Sequence, residues 1–99
     1  MSFYLTRKAK ADLKSIARYT AQKWGVNQRN IYLTQMDRTF HDLSNMPDLG
    51  RRCDYIREGY RKCKVGKHII FYRDAGPEEI EIVRVLHERM DIETQLGNG

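Results

Sequence analysis

Gly66-Lys67-His68-Ile69-Ile70-Phe71-Tyr72-Arg73 is the stretch on which the fold of this chain turns. β-branched and aromatic residues crowd it, and Val65-Gly66-Lys67 just before it suits a tight hairpin turn, so it reads as a strand entered from a hairpin. On one side stands Gly59-Tyr60-Arg61-Lys62. On the other stands Ile82-Val83-Arg84-Val85-Leu86-His87-Glu88-Arg89-Met90-Asp91. The runs Tyr60 to Val65, His68 to Arg73 and Glu79 to His87 therefore predict neighbouring strands of one small sheet, with a second turn at Asp74-Ala75-Gly76-Pro77 and a further short strand at Asp54 to Arg57. Each run carries Arg or His among apolar residues. The sheet would gather cationic and imidazole groups on a compact surface.

Upstream the period changes from two to three and four. Ala9, Leu13, Ile16, Ala17, Thr20 and Trp24 form one stripe of a helix from Arg7 to Trp24, capped by Thr6 and ended by Gly25. Trp24 is expected to anchor the hairpin against the sheet. Asn27 can cap a second helix, with Ile31, Tyr32, Met36, Phe40 and Leu43 as its apolar stripe, and Met46-Pro47-Asp48-Leu49-Gly50 breaks it. Phe3 to Leu5 reads as a short edge strand. The order predicts an α+β fold: an N-terminal strand, an α-helical hairpin, then an antiparallel sheet of three to four strands. Residues 1–92 read as one domain, and 93–99 as a frayed, flexible tail.

The chain has 99 residues, 40% hydrophobic and 31% charged, which fits a globular domain and not a disordered segment. Its net charge of +5 favours an acidic partner, whether nucleic acid or protein. Cys53 and Cys63 make no disulfide framework and have no histidine at zinc-ligand spacing, so no metal is expected. The opening Met1-Ser2-Phe3-Tyr4-Leu5-Thr6-Arg7-Lys8 meets charge before an apolar segment develops, and no run reaches membrane-span length. The cytoplasm is the expected location, with no membrane partner.

Arg61, Arg73, Arg84, His87 and Arg89 form the candidate functional group. Cations and an imidazole are what metal-free ribonuclease chemistry needs, for charge stabilisation and proton transfer. The same residues also read structurally: Arg84 as the partner of a carboxylate such as Glu81, Asp54 or Glu58, and His87 and His68 as hydrogen-bonded framework. Strict alternation puts Ile80, Ile82, Arg84 and Leu86 on one face of the last strand and Glu81, Val83, Val85 and His87 on the other. Both faces of the sheet are then partly apolar. Either a partner covers the second face, or loops bury it internally. Lys8, Lys10, Lys14 and Arg18 form a solvated helix face or a dock for an acidic segment. Arg51, Arg52 and Arg57 sit in the connection to the sheet.

The chain resembles the ParE branch of the RelE/ParE toxin superfamily. The resemblance rests on Asp12-Leu13 with Ile16 and Tyr19, Trp24-Gly25, Pro47 with Gly50-Arg51, Ile56-Arg57 with Gly59-Tyr60-Arg61, His68 to Tyr72, and Arg84-Val85-Leu86-His87 with Met90-Asp91. It runs from about residue 4 to residue 92. It implies a toxin of a type II toxin–antitoxin pair that poisons DNA gyrase and blocks replication, without cofactor and without catalysis. It also implies neutralisation by a ParD-like antitoxin in a hetero-oligomer, with no direct sequence-specific nucleic-acid binding. The toxic surface expected on this basis is Arg61, His87, Glu88, Arg89, Met90 and Asp91, and the antitoxin contacts are Leu13, Tyr19 and Phe71. The RelE branch cleaves messenger RNA on the ribosome. This chain departs from it at Met90-Asp91-Ile92, where several of those enzymes end in a catalytic Tyr or His. Ribonuclease action is therefore the alternative reading, and a non-toxic antitoxin-pairing module is a further one.

Overall fold

A computed structural model of the chain describes residues 2–90 and 92–97. The elements run β1 (Ser2–Leu5), α1 (Arg7–Trp24), α2 (Val26–Asn45), β2 (Arg51–Arg52), β3 (Arg61–Val65), β4 (His68–Gly76), β5 (Glu79–His87) and α3 (Ile92–Gly97). The α+β plan is the expected one. The sheet is larger than expected, with five strands in the order β1-β5-β4-β3-β2. It is also mixed: β1 runs parallel to β5, and the other pairings are antiparallel. The short strand falls at Arg51–Arg52, not at Asp54 to Arg57, because the backbone of 53–57 closes into a turn in which the N–H groups of Ile56 and Arg57 donate to the Cys53 carbonyl.

Thr6 caps α1 as its position suggests. Its hydroxyl accepts from Ala9 N at 3.0 Å and donates to the Val83 carbonyl at 2.7 Å, tying the first turn of α1 to β5. Gly25 (φ 95°) ends α1 and starts α2 within one residue, so the Asn27 cap is not used and α2 begins without a side-chain cap. The hairpin lies on one face of the sheet. Ala9, Ile16, Met36, Phe40 and Leu43 meet Ile70, Tyr72, Ile80, Ile82 and Val85 there. Burial fades toward the hairpin tip, where the helices overhang the sheet. Ile31 is exposed, and Trp24, at 64% exposure, anchors nothing in the core.

Strict alternation in β5 fails at a bulge. Phe71 pairs with Arg84 but Tyr72 pairs with Ile82, so Val83 is an extra residue. After it the faces exchange: Val85 joins Ile80 and Ile82 under the hairpin, while Leu86 joins Val83 on the opposite face. That opposite face is buried from within. Cys53, Tyr60, Phe71, Val83, Leu86 and Leu96 form a second cluster, with Ile56, Ile69 and Ile92 against it. Residues 93–97, expected as part of a frayed tail, instead continue α3 from Ile92 and supply the buried Leu96. Of the two expected covers for this face, a partner or the chain itself, the structure shows the second: the 53–60 segment and α3 lie over it. No described helix is long and apolar enough to cross a membrane.

Candidate functional site

The bulge in β5 decides where His87 goes. It pairs across the sheet with His68, and the two rings meet edge to face with centroids 5.3 Å apart. β3 and β4 turn back at Gly66 (φ 57°), and the Lys67 carbonyl accepts from Glu88 N at 2.9 Å. The turn and the segment after β5 are thereby locked side by side. Tyr32 reaches in from α2. Its hydroxyl donates to the Val65 carbonyl at 2.8 Å and lies 2.6 Å from His68 Nδ1. With that proton spent on Val65, His68 Nδ1 must be the donor to Tyr32, which leaves His68 Nε2 an acceptor. His87 has the opposite tautomer: its Nδ1 accepts from Arg89 N at 3.0 Å, so Nε2 carries the hydrogen. Met90 N donates to the His87 carbonyl at 3.0 Å. His87 thus braces the backbone of the residues that follow it.

These groups form one end of a groove of about 660 Å³. The other wall is the overhanging hairpin tip, with Tyr19, Lys23 and Trp24. Trp24 is exposed there although it continues the α1 stripe, and Tyr19, which lies off the stripe, is exposed beside it. Lys23 Nζ stands 5.5 Å from the Trp24 ring centroid and 5.6 Å from that of Tyr19.

Burial holds the His68 imidazole below its usual pKa, aided by the neighbouring His87 and opposed by Asp12 and Glu88. A depressed histidine pKa means that the unfolded chain takes up the proton more readily. The resulting stability is present in full above about pH 6.5 and is lost as the pH falls toward the folded-state value. Thermal melts at pH 7.5 and pH 5.5 should show a smaller acid-induced drop for His68→Asn than for the natural chain. Equal drops would show that His68 does not carry the effect.

The expected surface is only partly assembled. His87, Glu88, Arg89 and Met90 are contiguous at the groove end. Arg89 and Met90 are exposed, and Glu88 pairs with Lys64 at 2.9 Å, a hydrogen bond that holds its carboxyl below the usual range. Asp91 lies outside the described residues. Arg61 does not join them. It pairs with Tyr72, four residues along β4 from His68, and its guanidinium binds the Gly50 carbonyl at 2.8 Å and Asp48 at 3.2 Å. Arg73 pairs with Glu81, and Arg84 with Asp12 of α1, a partner not among the carboxylates expected. Of the expected antitoxin contacts, Tyr19 is exposed and Leu13 is half-buried against the core. Phe71 is fully buried on the far face, closed off by the second cluster, and no partner reaches it in this conformation. Lys67, Tyr32 and Trp24 line the groove too, where the sequence had suggested only a turn residue, a helix-stripe residue and a structural anchor. Lys67 beside His68 at the turn was the signal available for the first of them.

Among the described residues no three His, Cys, Asp or Glu side chains stand close enough to hold a metal ion. Residues 3–92, nearly the whole chain, match the family model described as ParE toxin of type II toxin-antitoxin system, parDE. The chain belongs to the ParE toxin family. Toxin ParE1 of Mycobacterium tuberculosis is 42% identical over 94 residues, spanning 95% of this chain and 96% of the relative. Toxin ParE1 of Caulobacter vibrioides is 39% identical over 95 residues, spanning 96% and 97%. A chain of the structure titled "Chromosomal ParDE TA system from P. aeruginosa" superposes with a TM-score of 0.74 over 88% of this chain and 95% of its own. At 24% identity that likeness is one of fold. Membership makes this ParE-family chain a type II toxin.

Proposed function

We propose that this toxin acts by binding DNA gyrase in the cytoplasm, trapping it on cleaved DNA and arresting replication, and that it does so without catalysing a reaction. The family match over residues 3–92 carries the reading. The segment from His87 to Asp91 meets the target. Its exposed Arg89 and Met90 sit on a backbone pinned by His87, so residues 87–90 are held in shape before binding, which lowers the ordering cost of association. Arg61 serves the fold instead, holding the Gly50 connection.

A ParD-like antitoxin neutralises the toxin by laying a segment along the hairpin, over Leu13 and Tyr19. Tyr19, Trp24, Val26 and Ile31 leave apolar surface bare near the hairpin tip, and covering such surface is favourable. The basic side chains of α1 would meet acidic residues of that segment.

Induced expression in a bacterial host tests the surface. The natural chain should stop growth and raise a DNA-damage response. The double variant His87→Ala, Arg89→Ala should remain folded and lose toxicity by about tenfold or more, since removal of an anchoring cation and its brace costs on the order of 1.4 kcal/mol or above. A folded double variant of undiminished toxicity would mean that another surface meets the target.

A further inference from the structure

We propose that the groove between the hairpin tip and the His68–His87 end of the sheet binds an unpaired nucleotide of a single DNA strand, with its base on Trp24 and its phosphates on Lys67 and Arg89. The inference stands apart from gyrase as the target, since an isolated strand is enough to test it.

Charge is the first argument. The groove is lined by Lys23, Lys67 and Arg89 and, among the described residues, by no carboxylate. Elsewhere the arginines and lysines that matter to the fold are neutralised: Arg52 by Asp54, Arg61 by Asp48, Lys64 by Glu88, Arg73 by Glu81 and Arg84 by Asp12. None of the three groove cations is in an ion pair with a described residue. Lys67 and Arg89 are held on adjacent backbone by the bond from Glu88 N to the Lys67 carbonyl. Successive cations on one rim suit a phosphate backbone.

The aromatic wall is the second argument. Trp24 is exposed beside these cations, and an exposed indole next to a cationic rim is the arrangement on which unpaired bases stack. The third is hydrogen bonding. His68 offers an acceptor at Nε2 and His87 a donor at Nε2, a mixed pair of the kind a base edge or phosphate oxygen can use. A volume near 660 Å³ lies within the range of small-ligand sites and admits one nucleotide with its flanking phosphates. Nothing in this arrangement reads base sequence along a duplex groove, so binding is sequence-independent.

Trp24 is the only tryptophan of the chain and reports on its own site. The full chain is titrated with a short oligothymidylate at about 50 mM salt, where phosphate contacts are strong. Saturable quenching of Trp24 is expected. Lys67→Gln with Arg89→Gln should weaken binding by about tenfold and make the slope of log K against log salt shallower by about 1.4, two contacts at about 0.7 each. Trp24→Leu, followed by anisotropy of a labelled strand, should weaken binding about fivefold or more, and Trp24→Phe should restore part of it. All three side chains are exposed, and circular dichroism checks that the variants fold. No quenching by the strand, or affinity unmoved by these substitutions, overturns the proposal. So does ATP binding as tightly as the strand, which would make this a free-nucleotide site, or equal competition by an oligoglutamate, which would make it an acidic-peptide site.

Discussion

Replacing Asp12 by alanine is expected to cost about 3 kcal/mol of stability and to lower the melting temperature by roughly 15 °C. Asp12 accepts from Arg84 Nε at 2.8 Å, from Arg84 Nη2 at 2.9 Å and from Val85 N at 3.0 Å. The two side chains are only 13–14% exposed. Their bidentate bond favours the charged guanidinium and raises the Arg84 pKa further, against the effect of burial. Truncation of Asp12 leaves that charge mostly away from water and strips the Val85 N–H of its partner. Both losses are of the expensive kind, an uncompensated buried group and not a mere missing attraction. The bond also fastens α1 to β5 just past the Val83 bulge, so it helps to fix the face on which His87 stands. The double variant Asp12→Leu, Arg84→Met should recover most of the loss, since an apolar pair of similar size leaves no orphaned charge. A single-variant melting temperature within about 3 °C of the natural chain would mean that water already solvates Arg84.

Tyr72→Phe is expected to cost about 2 kcal/mol, or roughly 10 °C, although it removes one oxygen atom. The Tyr72 hydroxyl donates to the Pro47 carbonyl at 2.6 Å and accepts from Gly50 N at 2.8 Å, and the residue is 1% exposed. Burial raises its pKa, so the phenol stays neutral and keeps its proton for Pro47. The variant leaves a backbone acceptor and a buried backbone donor unpaired. It also loosens the Pro47 to Gly50 connection on which Arg61 closes. A side chain at position 50 is not an alternative way to fill the space, because a Cβ there would stand 2.6 Å from Tyr72 Cε1 and overlap the hydroxyl. Thermal melts and urea titrations check the value, and a shift under about 2 °C would show that water replaces both bonds.

Much of this fold is written in local pattern. The Thr6 cap, the α1 stripe, the Gly25 break and the Gly66 turn follow from steric and hydrogen-bonding rules that act over a few residues, and the structure has them. What escaped the pattern is long-range. Asp12 and Arg84 are 72 residues apart in the chain, and no periodicity pairs them. The Val83 bulge adds one residue to β5 and so reverses every face assignment after it, moving His87 to the hairpin side. Trp24 continues the helical stripe but overhangs the sheet, and a stripe does not reveal where its supporting layer ends. Residues 93–99 are mostly polar and short enough to look frayed, yet Ile92 and Leu96, four apart, supply one apolar helical face that closes the second cluster. Of the candidate site, the stretch 87–90 was legible as a contiguous motif. Arg61 was not separable from it in sequence, because only the register of β3 on β4 sets it at the far end of the strand.

Poisoning of gyrase by binding is the function proposed for this toxin, and it can be tested directly. Purified chain should be added to gyrase in a supercoiling and DNA-cleavage assay, beside ribosomes programmed with messenger RNA. Gyrase-dependent cleaved DNA with intact messenger RNA is the predicted result. Cut messenger RNA with untouched gyrase would contradict it, and would turn the paired imidazoles of His68 and His87 into candidates for proton transfer.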